Sequence, residues 1–262
     1  MIRGLHTAAA GMAAQQKDID VISNNIANVN TTGFKKDRTE FQDLMYQSLN
    51  YTAGATSADT NNPTGIDTGL GVRVAGIQKN FTQGSLLETG NTYDMAIQGN
   101  GFFQITTPAG ETAYTRNGSF KLDSEGTLVN GLGYAVEPEI VIPQDLINIS
   151  IAQDGTVSAV EPATGAVQTL GQLTLVNFIN PAGLSPQGDS LYLATDVSGD
   201  PINGTPGIDG IGTIRQGMLE GSNVQLVTEM VNLITAQRGY EANSKSITTT
   251  DTMLQTVNQL KR

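Results

Sequence analysis

Apolar residues recur every seven positions at both ends of this chain, whereas between the ends they alternate over short runs. Near the N-terminus Leu5, Met12, Ile19 and Ile26 are seven apart, with Ala8, Ile22 and Val29 each three residues after a member of that series. Near the C-terminus Leu233, Tyr240, Ile247 and Leu254 repeat in the same way, flanked by Met230, Ile234 and Val257. A stripe this narrow is a coiled-coil seam rather than the broad apolar face of a helix packed on a globular core. The pattern predicts helices over residues 1–30 and 223–262. The first ends near Asn30 to Gly33, where glycine can take the left-handed C-terminal conformation. The second opens on Ser222 and Gln225, which have capping-box spacing. About 40 residues of helix would span roughly 60 Å, which suits an assembly element.

The middle reads differently. Phe41, Leu44, Met45 and Leu49 lie at helical spacing and predict a short amphipathic helix over residues 37–50. Residues 51–66 are small, polar and aperiodic, as in a linker or extended arm. From Thr68 to Glu220, alternating runs such as Val72/Val74, Ile147/Ile149/Ile151 and Leu173/Leu175 are separated by Asn117-Gly118, Asn130-Gly131, Asp154-Gly155, Asn203-Gly204 and Asp209-Gly210. Such dipeptides favour tight hairpins, so this stretch predicts an all-β sandwich or barrel-like body. The predicted fold class is α+β: paired N- and C-terminal coiled-coil-like helices joined through an extended connecting segment to an all-β body. The expected divisions are 1–30 with 223–262, a connecting segment 31–66, and a β-rich domain 67–222.

Composition narrows the function. A chain of 262 residues builds a core without staples, and it contains no cysteine, which removes disulfides, thiol catalysis and thiolate metal sites. No stretch approaches the roughly 20 apolar residues of a membrane-spanning helix, so a soluble chain is expected. The net charge of -11 is concentrated between residues 51 and 222, which hold 5 basic against 17 acidic side chains. An acidic body argues against nucleic acid as a partner. Arg3 and the alanine-rich run after it do not form a secretion signal, because the heptad continues through them.

Catalytic chemistry is sparse. His6 is the only histidine, so no histidine triad or two-histidine zinc motif can be built. Gly69-Leu-Gly71 and Gly99-Asn-Gly101 lack the third glycine and following helix of a dinucleotide fingerprint. Asp123-Ser124-Glu125-Gly126 reads as a turn, and no loop alternates calcium ligands. No catalytic, cofactor-binding or metal-binding residue is predicted. Composition leaves open a secreted β-sandwich enzyme acting on carbohydrate through paired carboxylates, or a surface protein whose helices form a stalk.

The seams supply the stronger argument. Each Leu, Ile or Met buried contributes about 1.5–3 kcal/mol, and two helices of one chain cannot cover two stripes fully. Copies associating head to tail without closing a ring give a filament or tube. Leu5, Met12, Ile19, Ile26, Leu233, Tyr240, Ile247 and Leu254 are therefore expected at an assembly interface forming the inner wall of a tube. The alternative is a two-helix core within one chain.

Three segments then carry a resemblance. Ser23-Asn24-Asn25-Ile26-Ala27-Asn28-Val29-Asn30-Thr31-Thr32-Gly33-Phe34-Lys35 is similar to the N-terminal signature of the bacterial flagellar rod and hook family. Gln237-Arg238-Gly239-Tyr240-Glu241-Ala242-Asn243-Ser244-Lys245 resembles its C-terminal signature, and Ile97-Gln98-Gly99-Asn100-Gly101-Phe102-Phe103 resembles the start of its β-domain. The resemblance implies a structural, non-enzymatic subunit without cofactor, polymerising with itself into a shaft across the periplasm. It also implies rod and hook or hook-junction neighbours, surrounding ring (bushing) proteins, and delivery by the flagellar export apparatus without a cleaved signal. Asn24, Asn25, Ala27, Asn28, Thr32, Gly33 and Phe34 are the motif residues, expected to hold the turn from helix to arm, with Phe34 anchoring in a neighbouring surface. The family often has alanine where this chain has Gly239, so the helix either flexes there or a neighbour packs on bare backbone.

Overall fold

Helices stand at both ends of the described chain: α1 covers Ile2–Ala27 and α2 covers Leu226–Leu260. A computed structural model describes residues 2–50, 55–57, 60–61, 66–108, 110–143, 145–162, 165–208 and 210–260. The chain divides into two compact units, one of residues 1–26, 37–78 and 225–262, the other of residues 27–36 and 79–224. The division departs from the expected boundaries. Residues 37–78 group with the helices, and the ten residues after Ile26 group with the β body.

In the helical unit α1 and α2 run antiparallel, with Gly11 against Asn243 and Gly239 against Gln15. Ala8, Ala14, Val21, Ile22 and Asn25 are buried on α1, and Glu229 and Ala236 on α2. Leu5, Met12, Ile19, Ile26, Leu233, Ile247 and Leu254 are half-buried, and Tyr240 is exposed. Gly239 follows the close-packing alternative: a Cβ there would lie 3.3 Å from Gln15 Cδ.

Three local expectations are corrected. The first helix stops at Ala27, before Asn30 to Gly33, although Gly33 does take the expected left-handed conformation, φ +70°, in the turn beyond it. The last helix starts at Leu226; Ser222 Oγ accepts from Val224 N, so the predicted capping box does not form. Residues 37–50 hold two strands, Asp37–Asp43 and Tyr46–Asn50, rather than a helix. The Asn25 amide donates to Asp37 O and accepts from Asp37 N, at 2.8 and 2.9 Å, bracing the chain as it turns into strand. The strand Asp37–Asp43 then pairs with Val72–Lys79, and Tyr46–Asn50 pairs with Ile66–Gly69. Phe41 and Met45, half of the apparent helical stripe, are exposed. Of the predicted arm, 51–54, 58–59 and 62–65 lie outside the described residues; Ala55–Ser57 and Thr60–Asn61 form a short antiparallel pair.

The β unit holds a seven-stranded antiparallel sheet in the order Lys121–Leu122, Leu128–Val129, Ala135–Glu137, Phe103–Thr106, Thr112–Thr115, Leu191–Leu193 and Ser185–Gly188. A three-stranded sheet, Ile147–Ile151, Thr156–Val160 and Val167–Gln172, and three two-stranded pairs complete it. Alternation sets the inward faces; along Thr156–Val160 the buried positions are Val157 and Ala159. Met95, Ile97, Phe103, Ile105, Phe120, Leu175 and Ile214 fill the main core. A second cluster packs Phe81, Phe102, Tyr114, Phe178 and Tyr192 edge to face, with centroids 4.8–6.2 Å apart. The predicted run Val72/Val74 lies in the helical unit instead. Asn203-Gly204 lies inside the strand Ile202–Gly204 and is no turn. Gly118 is needed for close approach, because a Cβ would overlap the backbone of Met95, whose N–H donates to Gly118 O.

Two glycine substitutions should therefore behave oppositely in urea denaturation. Gly118→Ala is expected to cost more than about 3 kcal/mol, since backbone must move. Gly239→Ala gains up to about 1 kcal/mol of helix propensity, as only the flexible end of Gln15 has to shift.

Candidate functional site

Residues 27–36, which carry most of the N-terminal motif, are seated in the β unit by a buried ionic cluster. Lys35 and Glu220 are fully buried, and Arg116 is nearly so. Lys35 Nζ lies 2.7 Å from Glu220 Oε1 and donates also to Thr82 O at 2.8 Å. The same carboxylate oxygen accepts from Gly84 N at 2.9 Å. Arg116 Nε stands 3.5 Å from Glu220 Oε2, while its Nη2 donates to Gly99 O and its guanidinium lies over the Phe102 ring.

Local backbone places each member. Glu220 ends the strand Met218–Glu220, which pairs with Leu86–Glu88 in register Glu220↔Leu86. Its carbonyl accepts from Gly33 N at 2.8 Å, fixing the turn from the first helix beside the strand that precedes the second. A Cβ on Gly33 would come within 2.6 Å of Asn117 N, and its φ of +70° suits glycine. One residue earlier, Thr32 Oγ1 donates to Asn117 Oδ1. One residue beyond Lys35, Lys36 N donates to Asn223 Oδ1, and the Asn223 amide donates to Asn80 O and Thr82 O. Residues 32–36, 80–84 and 220–223 are thus stitched side by side.

Burial pushes the Lys35 ammonium below its usual range, and repulsion from Arg116 adds to this, while Glu220 opposes both. Burial likewise lowers Arg116 from its usual value, against the pull of Glu220. Arg116 Nε and Nη1 and Glu220 Oε2 make no hydrogen bond among the described residues. One carboxylate therefore stands between two buried cations and offsets only one of the two charges, and of the two ion pairs only that with Lys35 is a well-made charge-assisted bond.

The predicted motif residues distribute unevenly. Thr32, Gly33 and, through its neighbour Lys35, Phe34 join this site. Phe34 is half-buried with Lys79 Nζ 5.4 Å from its ring centre, a contact within the chain. Asn28 Oδ1 accepts from Thr31 Oγ1. Asn25 braces the helical unit, and Asn24 and Ala27 are exposed. Sequence reasoning missed Arg116 and Glu220 as partners, though Lys35 closes the N-terminal signature and an ionisable residue inside it was a usable signal. Among the described residues no group of three or more His, Cys, Asp or Glu could hold a metal ion. No described helix is long and apolar enough to cross a membrane.

The arrangement fastens chain segments and offers no reacting centre. Comparison with known proteins decides what it belongs to. Residues 5–35 match the family model described as flagella basal body rod protein, residues 96–159 the flagellar hook protein FlgE/F/G D1 domain, and residues 215–260 the flagellar basal body rod FlgEFG protein C-terminal. The chain is 48% identical over 260 residues to a protein named flagellar basal-body rod protein FlgG from Buchnera aphidicola subsp. Schizaphis graminum, covering 99% of this chain and 100% of that one. It is 48% identical to the protein of the same name from Borreliella burgdorferi, covering 100% of both. A protein named flagellar basal-body rod protein FlgF, from Caulobacter vibrioides, is 34% identical over 95% of this chain and 94% of its own length. The chain belongs to the flagellar rod and hook protein family. The family is structural and not enzymatic. Each matched segment contributes one member of the cluster: Lys35, Arg116 and Glu220 lie in the first, second and third.

Removing the shared anion should cost far more than removing the outlying cation. Glu220→Ala leaves two uncompensated buried charges and is expected to lose about 3–5 kcal/mol of stability. Arg116→Met retains the Lys35 pair and removes unsatisfied polar atoms, at an expected cost below about 2 kcal/mol. Chemical denaturation of both variants checks the order.

Proposed function

We propose that the chain is the structural subunit of the flagellar distal rod, polymerising into a helical tube that transmits torque and encloses the export channel. The observation that carries this reading is the full-length match to proteins named FlgG at up to 48% identity, against 34% for the one named FlgF. Length supports it too: the shortest rod components lack room for a β body of this size, and hook proteins carry an additional outer domain. A proximal rod or hook subunit of the same family is the alternative.

On this reading the partners are other copies of the chain, proximal rod subunits, the hook or hook-junction protein, and the ring proteins around the shaft. The export apparatus delivers the chain without cleaving a signal. The half-buried heptad residues Leu5, Met12, Ile19, Ile26, Leu233, Ile247 and Leu254, with exposed Tyr240, retain apolar surface for neighbours. The acidic body, net -12 between residues 51 and 222, faces outward, where few sticky contacts oppose rotation.

Electron microscopy of basal bodies from a host lacking the gene tests the assignment. A truncated rod without hook is expected. A complete rod missing only its hook would make the chain a hook component, and an intact basal body would remove it from the shaft.

A further inference from the structure

The pairs Asn117-Gly118, Asn130-Gly131 and Asn203-Gly204 share one sequence, and the fold sets them in three different backbones. An asparagine followed by glycine is open to attack by the backbone on its own side chain, because glycine brings no Cβ to crowd the approach. In that reaction the glycine nitrogen loses its proton to solvent base and bonds to the asparagine Cγ. The Cγ–Nδ2 bond breaks and ammonia leaves. Water then opens the resulting succinimide at either carbonyl, giving aspartate or isoaspartate. Ring closure needs a backbone free to turn the glycine nitrogen toward the side chain, an unengaged N–H, and support for the negative charge that grows on Oδ1.

Asn130-Gly131 meets all three needs. It lies in the turn between the strands Leu128–Val129 and Ala135–Glu137. Gly131 is exposed, with nothing within 4 Å of the place a Cβ would take, and its N–H has no partner among the described residues. Turning its peptide gives up the bond from Gly133 N to Asn130 O, in a loop that Gly133 already bends at φ +85°. Asn130 Oδ1 accepts from Leu132 N and from Tyr134 N, each at 2.9 Å. Two backbone donors on one carbonyl oxygen draw electrons from Cγ and stand where the oxyanion forms. The leaving nitrogen, Nδ2, has no partner among the described residues.

The other two pairs are held. Gly118 is buried against the backbone of Met95, and its carbonyl accepts from Met95 N and Phe120 N, so its peptide has no room to turn. Asn203 and Gly204 lie in the strand Ile202–Gly204, opposite Val176 and Leu175. Extended backbone in a ladder directs the glycine nitrogen away from the preceding side chain. A Cβ on Gly204 would also come within 2.4 Å of Ile211 Cδ1, so the packing there resists a change of backbone.

We propose that Asn130 is a site of spontaneous modification, converting through a succinimide to aspartate and isoaspartate while Asn117 and Asn203 persist. The nucleophile, the electrophile and the oxyanion donors all come from residues 130–134, and water is the co-reactant. The aspartate product keeps Leu132 N and Tyr134 N as donors, now to a carboxylate, so both bonds become charge-assisted. Each conversion adds one negative charge to a chain of net -11.

The folded full-length chain tests this in warm, mildly alkaline buffer, beside a sample denatured in guanidinium chloride. Both are cut with a glutamate-specific protease at intervals. Cleavage after Glu111, Glu125 and Glu137 separates Asn117 from Asn130, and Asn203 lies in the peptide beyond Glu161. Mass spectrometry reads the deamidated fraction of each peptide. In the folded chain Asn130 should convert about tenfold faster than Asn117 and Asn203, and at least as fast as in the denatured chain. Gly131 has a negative φ and open space around it, so Gly131→Ala should leave the thermal midpoint unchanged and slow Asn130 by about tenfold. Conversion of Asn117 or Asn203 at the rate of Asn130 in the folded chain would overturn the proposal. So would slower conversion of Asn130 folded than denatured, which would mean that the two N–H donors protect the side chain instead of activating it.

Discussion

A single buried carboxylate organises this chain. Glu220 is the only acid facing Lys35 and Arg116 within the described cluster, and its backbone carbonyl also holds the Gly33 turn. Burying two cations against one anion is unfavourable unless geometry is good, and here the geometry is divided. Lys35 receives a short direct bond, while Arg116 is left with a longer contact, a carbonyl and an aromatic face. Such a site adds little net stability. What it adds is specificity: any register that moves Glu220 away leaves charge stranded in the β unit.

The same fastening explains the division of the chain. Residues 27–36 follow the first helix in sequence yet fold as part of the β unit, because Thr32, Gly33, Lys35 and Lys36 all find their partners there. Residues 218–224 precede the second helix and do likewise. The helical unit has a separate brace, the Asn25 amide on Asp37. Asn25 and Asn223 are therefore not interchangeable filler; each satisfies backbone beside the start of a new element.

Much of the architecture was legible in the sequence. Period-seven spacing gave both terminal helices, and short alternating runs gave the β body. The boundaries and the seam were less legible. Heptad reading favoured the largest apolar residues, whereas the fully buried positions of the two helices include Ala8, Ala14 and Ala236, small residues that stand outside the period-seven series of large side chains. The stretch 37–50 misled because Phe41, Leu44 and Met45 mimic a helical stripe, while pairing with a strand about thirty residues later decides the matter, and such non-local pairing leaves no periodic trace. Glu220 was hidden for a similar reason. A buried acid looks like any solubilising acid until its cations are found.

Lys35 and Glu220 are 185 residues apart in sequence. The ion pair therefore closes a loop that takes in most of the chain, a contact of high sequence separation that no single helix, hairpin or sheet of this fold can make alone.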